Sequence, residues 1–213
     1  MAAGSASADL TITTNNQNSA STFTPTWPVA NNSLIAGLSP SASFGNFTQE
    51  SAGGLATLTD EAIGPVLTSG NQTAMATCGN NGGRMVIYDL PASANGYDIT
   101  NISTYSGWGN GGRHAQAYTL YYSTQAAPRK FISLGSIAYT GGFTGNNPNQ
   151  PSANQVIWSD SNNGSIAANV AAIMFNFNSP VAPNGENGYS GYSEITVQGT
   201  PSATVVTQVV TIA

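Results

Sequence analysis

The chain has 213 residues, of which four are Lys or Arg and nine are Asp or Glu, for a formal net charge of −5 at pH 7. Four basic residues are too few for the electropositive surface that nucleic acid or an anionic membrane requires, so we expect neither partner. No apolar run approaches the roughly 20 residues that span a bilayer. Hydrophobic residues make up 40% of the chain, which is enough for the core of one substantial domain.

The first fifty residues are rich in Ser, Thr and Asn and begin with MAAGSASAD. The Ala-Ser-Ala sequence at residues 6–8 resembles the small-residue end of a secretory signal, so we expect a secreted, extracellular protein. Residues 1–50 are predicted to form an N-terminal extension that packs on the main domain.

Period-two alternation predicts a series of β-strands, and no segment has a convincing helical pattern. Gly, Asn and Pro clusters separate the strands at a spacing typical of β-sandwiches. Residues 85–90 are apolar on both sides, which predicts a strand covered on both faces. The predicted strands are residues 10–13, 85–90, 99–105, 117–123, 131–134, 155–158, 172–177 and 194–197.

Residues 97–123 are predicted to be two strands joined by a glycine-rich loop that carries candidate ligand-binding residues. Trp108 lies between two glycines, which predicts an exposed ring, although a Trp in this position can also fold back onto the core. Asn110, Arg113 and His114 are the predicted polar contacts. Arg113 has an alternative role as a tether of the loop to a carboxylate or to backbone carbonyls, and a lone His is more often a packing residue.

Catalysis has little support in the sequence. A single His and no G-x-S-x-G motif argue against a hydrolase triad, and a zinc site would have to combine His114, Cys78 and scattered carboxylates. Paired carboxylates for glycoside hydrolysis stay open, because their separation is a property of the fold. Cys78 is the only cysteine, and we expect it to be a buried small hydrophobe. We therefore expect a non-catalytic domain.

Six segments, taken in order, resemble the discoidin or coagulation-factor type C family, a galactose-binding-like jelly roll that includes many carbohydrate-binding modules. They are LTDEAIG (58–64), RMVIYDL (84–90), YDITNISTYSGW (97–108), GRHAQAYTLYYS (112–123), NVAAIMFNF (169–177) and GYSEITVQG (191–199). The resemblance implies an all-β fold, a β-sandwich jelly roll over residues 51–200. Residues 201–213 would follow it as a C-terminal strand. The combination also resembles secreted bacterial proteins that carry a C-terminal sorting tail.

Two further features are implied by the resemblance. Many of these domains hold a structural Ca²⁺ between an Asp near the first strand and a Glu on the last, which correspond to Asp60 and Glu194 here. The family usually has Gly after this Asp, whereas this chain has Glu61. The alternative is a turn-capping Asp and a solvated strand Glu. The family also binds sugars in loops at one end of the sandwich, which places the Trp108 loop and residues 140–154 side by side.

The sequence thus favours a secreted, non-catalytic domain that recognises neutral glycans by aromatic stacking and by amide and hydroxyl hydrogen bonds. The alternative is an extracellular or cell-surface structural subunit that forms homo-oligomers or filaments through exposed sheet edges. Its main support is residues 204–212, TVVTQVVTI, which are β-branched almost throughout and apolar on both faces.

Overall fold

A computed structural model of the chain describes residues 9–68, 72–110, 112–141, 150–179 and 186–203. The protein is all-β, and none of these residues lies in an α-helix. Three short 3₁₀ turns, Gln49–Ser51, Leu55–Leu58 and Glu186–Gly188, lie between strands. The strands are β1 (Leu10–Asn18), β2 (Ala42–Gly45), β3 (Ala76–Gly79), β4 (Gly83–Asp89), β5 (Tyr97–Trp108), β6 (Gln116–Thr124), β7 (Ala127–Tyr139), β8 (Ser152–Asp160), β9 (Ala167–Phe177) and β10 (Tyr189–Pro201).

The ten strands of the described ranges belong to one hydrogen-bonded network. Their order is β1-β8-β5-β10-β3-β4-β9-β6-β7, and β2 pairs with β4. Because β5 also pairs with β9, the strands β5, β10, β3, β4 and β9 close into a ring. Every pairing is antiparallel except the short contact of β3 with β4. The arrangement is consistent with a β-sandwich.

The main core is built on buried residues of β4, β5, β6, β8, β9 and β10. Tyr118 is fully buried and its ring meets Phe175 edge-on at a centroid distance of 5.4 Å. The Tyr118 hydroxyl accepts a hydrogen bond from the Trp158 indole at 2.8 Å and lies 3.0 Å from the Thr104 hydroxyl. Each large side chain contributes roughly 1.5–3 kcal/mol by burial, and the polar tips of Tyr118 and Trp158 pair with each other, so these two rings are buried without an unpaired group.

The eight predicted strands are all confirmed. Seven of the predicted ranges lie wholly within an observed strand, and the range 85–90 extends one residue beyond the end of β4. Alternation within β6 is as expected, because Tyr118 and Leu120 are buried while Thr119 and Tyr121 are partly exposed. The short strands β2 and β3 were not predicted. Their sequences, ASFG and ATCG, contain mostly small residues and are too short to show a period.

The prediction that residues 85–90 are covered on both faces is wrong. Val86 and Tyr88 are fully buried, but Met85 and Ile87 on the other side of β4 are partly exposed. These two side chains lie on the outer face of the sheet. Because they are apolar like the buried residues beside them, the sequence of β4 does not show which of its two faces is exposed.

The N-terminal region contributes directly to the sheet and core. β1 pairs with β8 along its whole length, and Ile35 is fully buried. Leu34 donates its backbone N–H to the carbonyl of Val197 at 2.7 Å. Cys78 is buried as expected, and burial raises the pKa of its thiol. This thiol is therefore a packing group rather than a nucleophile.

Strand ends define two ends of the molecule. The "loop end" contains the end of β5 and the starts of β6 and β10, where the backbone N–H of Gly191 donates to the Arg113 carbonyl. The "base" contains Tyr97, Thr124 and Pro201, which the register of β5, β9, β6 and β10 brings together. Across the described ranges, no helix has the length and apolar character needed to cross a membrane.

Candidate functional site

Trp108 is the last residue of β5 and is only 2% exposed. The prediction of an exposed ring is wrong, and the alternative, a ring folded onto the core, is observed. The flanking glycine Gly107 packs against Val66, and a Cβ on Gly191 would collide with the Trp108 ring. The glycines here make room for close packing, and they do not open a loop around the Trp.

Trp108 forms one side of a buried cage around Arg113. The Arg113 guanidinium carbon lies 5.4 Å from the Trp108 ring centroid and 5.3 Å from that of Tyr189. The two rings meet edge-on, with their centroids 6.1 Å apart. Arg113 itself is 5% exposed. Cation–π contact of this kind gains strength when the cation is desolvated, so the rings stabilise Arg113 in place.

Glu50 completes this cluster and was not identified from the sequence. Its carboxylate accepts hydrogen bonds from the Arg113 guanidinium at 2.8 Å, from the Tyr189 hydroxyl at 2.6 Å and from the Asn187 amide at 3.3 Å. Burial, and then the hydrogen bond to Glu50, raise the pKa of Tyr189 to about 12. Arg113 therefore has the tethering role that was its alternative. The available signal was general: a buried Arg needs a carboxylate, and the chain has only nine acidic residues.

The backbone at this cluster has unusual conformations. Glu50, Ser51 and Asn187 have positive φ values of 51°, 61° and 64°, a region that residues other than Gly seldom occupy. The Glu50 side chain is 43% exposed and Asn187 is exposed. Glu50 and Asn187 therefore form the solvent-exposed edge of the cluster.

His114 and Asn110 flank the cluster. His114 is 1% exposed, and burial lowers its pKa to about 4 against the opposing effect of a hydrogen bond with the Thr140 backbone. Its ring is therefore neutral at neutral pH. Asn110 is partly exposed and its carbonyl accepts the Arg113 backbone N–H at 3.4 Å. The Thr140 contact brings the start of the 140–154 segment beside the Trp108 segment; residues 142–149 lie outside the described residues.

Asp60 and Glu194, the pair implied by the family resemblance, are brought together by the fold. Glu194 is fully buried in β10, and its Oε2 accepts the Glu61 backbone N–H at 2.9 Å. Burial, and then the neighbouring Asp60 carboxylate, raise the pKa of Glu194 to about 9. Asp60 caps its own turn by accepting the Ala62 backbone N–H at 3.1 Å. The alternative of a solvated Glu194 is wrong, whereas the capping role of Asp60 is observed.

The residues around this pair fit a Ca²⁺ ion. Glu194 is fully buried, and its carboxyl group lies within hydrogen-bond reach of the Asp60 side chain and of the Ala62 backbone N–H. Glu61, at the position where the family usually has Gly, has a φ of 60°, the conformation that Gly favours. No three His, Cys, Asp or Glu side chains converge in the described ranges, so Ca²⁺ would take its remaining ligands from carbonyl oxygens and water.

Neither protein-family models nor curated proteins give a match to this chain. Its function is therefore inferred from the residues and geometry described above.

Proposed function

We propose that this chain is a secreted, non-catalytic carbohydrate-binding domain with a galactose-binding-like jelly-roll fold. The observation that carries the proposal is the contact between Asp60 and Glu194, which are distant in sequence and which the resemblance assigns to one structural Ca²⁺ site. The left-handed conformation of Glu61 supports the same likeness. Carbohydrate binding is the function that this likeness favours, and the composition of the chain, with few charged residues and many side-chain amides, suits it.

The polar edge of the Arg113 cluster is the proposed sugar-binding surface at the loop end. Glu50 can accept hydrogen bonds from sugar hydroxyls, and Asn187 and Asn110 can both donate and accept. Trp108 and Arg113 hold this edge in place from beneath. Each hydroxyl contact replaces one with water at a small net gain, so we expect weak, reversible binding.

Ca²⁺ at Asp60 and Glu194 would displace the proton from Glu194, bridge the two carboxylates and tie β10 to the segment around residue 60. Its role in this proposal is structural, because Glu194 is buried away from solvent.

Retention on immobilised neutral polysaccharides, measured with Ca²⁺ present, tests the proposed surface. The wild-type chain should be retarded, and Asn187→Ala should weaken retention about tenfold without lowering the melting temperature by more than a few degrees. Asn31→Ala, at an exposed asparagine outside the cluster, is the matched control and should bind like the wild type. Equal retention of both variants would reject the loop end as the sugar-binding surface.

A second candidate function, self-assembly into an extracellular structure, is favoured by the edge of β7. Within the described residues β7 pairs only with β6, and positions 131–139 carry no charge. Ile132 on this edge is 48% exposed. Long uncharged edges are templates for strand pairing between molecules. The C-terminal segment 204–212, predicted to supply a pairing strand, lies outside the described residues.

Light scattering and electron microscopy at several protein concentrations, with and without Ca²⁺, test this second candidate. A chain truncated after Ala203 retains Ser202, whose backbone N–H donates to the Gly96 carbonyl and whose hydroxyl bonds to Asp98. Assembly by the wild type and its loss on truncation would support the structural subunit. A monomer at all concentrations would reject it.

A further inference from the structure

The outer face of the sheet formed by β4, β9 and β6 has a recess at the base of the molecule. The register aligns Asp89, Ala172 and Ser123 in one row across these strands. This row forms part of the lining of a recess of about 260 Å³, which Gln125 and Arg129 also line. The recess lies at the opposite end of the sheet from the Arg113 cluster, so it is a separate site.

Polar groups of both signs converge on this recess. Asp89 Oδ2 and Arg129 Nη2 form an ion pair at 2.6 Å, with side chains 47% and 52% exposed. Arg129 has a positive φ of 67°, which costs backbone energy in a residue other than Gly. Pairing the two charges leaves the recess without net charge, which disfavours both anions and cations as ligands.

Ser123 is the second observation that points to a ligand. It is fully buried and lines the recess, yet its hydroxyl has no hydrogen-bond partner among the described residues. A buried hydroxyl without a partner destabilises the fold, and a ligand hydroxyl that reaches it would remove this cost.

The surroundings indicate the chemistry and size of the ligand. Next to the recess on the same face lies an apolar row of Ile87, Met174 and Tyr121, each partly exposed. A second recess of about 410 Å³ shares Gln125 and is also lined by Asn95 and Asn169. Drug-sized ligands occupy roughly 300–1,000 Å³, so the first recess suits a single ring and the second a neighbouring unit.

We propose that the recess at the base is a saccharide subsite. The Asp89 carboxylate accepts, and the Arg129 guanidinium donates, hydrogen bonds to a pair of neighbouring sugar hydroxyls, and a further ligand hydroxyl pairs with Ser123. The amide-lined recess beyond Gln125 takes the next sugar of the chain. This inference rests on the proposed function, because it presupposes that the chain binds carbohydrate. It deepens that function by giving the glycan a second contact surface, far from the loop end.

Amide chemical shifts of the full chain, titrated with millimolar galactose, glucose, mannose and N-acetylglucosamine, test the subsite directly. We expect at least one sugar to shift the amides of residues 89, 123–129 and 171–172. Arg129→Met and Asp89→Asn should each weaken this binding about tenfold, and Ser123→Ala should weaken it less. Arg84→Met, an exposed arginine on the same strand β4, is the charge-matched control and should leave the shifts unchanged.

The outcomes separate this inference from the proposed function. Shifts confined to the loop end would overturn the subsite while leaving carbohydrate binding intact. Shifts at the base without retention on any polysaccharide would support the subsite and count against binding of polymeric glycans. The absence of shifts at the base with all four sugars would overturn the subsite.

Discussion

Arg113 shows how one charged side chain can organise one end of this protein. It is enclosed by two aromatic rings and held by the Glu50 carboxylate, which comes from a distant part of the chain. Arg113 fixes the segment before β6 to Glu50, and the Tyr189 hydroxyl fixes the start of β10 to the same carboxylate. Because Arg113 is buried and Glu50 is half exposed, the ion pair is less screened by solvent than a surface pair but is not fully desolvated.

Arg113→Met should lower the free energy of unfolding by about 2 kcal/mol, because it leaves Glu50 without its charged partner and removes the cation–π contacts. Urea denaturation measures this directly. Arg84→Met, at an exposed arginine, serves as the control and should change stability by no more than about 0.5 kcal/mol. Equal effects of the two substitutions would contradict the tethering role of Arg113.

His114 gives the protein a defined pH dependence. Burial lowers its pKa from the ordinary value of 6.5 to about 4, so the unfolded chain binds the proton more readily. Stability from this residue is therefore present above pH 6.5 and is lost as the pH falls towards 4. The full loss amounts to about 3 kcal/mol, since one pKa unit corresponds to about 1.4 kcal/mol.

The measurement is the stability of the wild type and of His114→Gln across this pH range. The variant should lose less stability between pH 7 and pH 4, whatever its stability at pH 7. Parallel curves for the two proteins would show that His114 does not contribute to the acid response.

Ca²⁺ should raise the melting temperature of the wild-type chain at neutral pH, because it displaces the proton that burial keeps on Glu194 and then bridges the Glu194 and Asp60 carboxylates. EDTA should reverse the effect. In Glu194→Gln the response should disappear, while the amide can donate to Asp60 and still accept from the Glu61 backbone. A Ca²⁺ response that survives this substitution would place the ion elsewhere.

At the residue scale, sequence reasoning found the Asp60 and Glu194 pair only through family resemblance. It did not find the partner of Arg113, because nothing local relates Glu50 to a residue so far along the chain. Trp108 was misplaced for a different reason: glycine neighbours are compatible both with an exposed loop and with tight packing, and only the fold distinguishes them.

At the element scale, the longer predicted strands were found because the alternation of buried and exposed residues is visible along them. β9 is the clearest example, with Ile173, Phe175 and Phe177 buried. The short strands β2 and β3 and the outer face of β4 were missed, since register and partners are set by tertiary pairing.

The exposed edge of β7 supplies a prediction at this scale. Ile132→Lys should leave the stability of the isolated chain within about 0.5 kcal/mol of the wild type, because the side chain is largely in solvent. If the chain associates through this edge, the charge should weaken association, as edge lysines do in natural sheets. Sedimentation at several concentrations measures it, with Thr119→Lys on the partly exposed face of β6 as the control. Association unchanged by Ile132→Lys would exclude this edge.

At the scale of the whole molecule, a single strand network separates two polar surfaces. The loop end carries the Arg113 cluster, and the base carries the recess beside Asp89 and Arg129. The ring of five strands lies between these two surfaces. The sequence predicted that the fold is all-β, but it did not predict that these strands close into a ring. The ring closes through the pairing of β5 with β9. The alternation of apolar and polar residues along a strand does not indicate which other strand it pairs with.

The measurement that tests the central proposal most directly is a glycan array probed with the folded wild-type chain in the presence of Ca²⁺. Carbohydrate binding predicts signal on a limited set of neutral glycans, with dissociation constants in the micromolar to millimolar range and no cleavage of the bound glycan. No signal on any neutral glycan, from protein shown to be folded, would contradict the proposal. Regular oligomers in the same preparation would then favour the structural subunit.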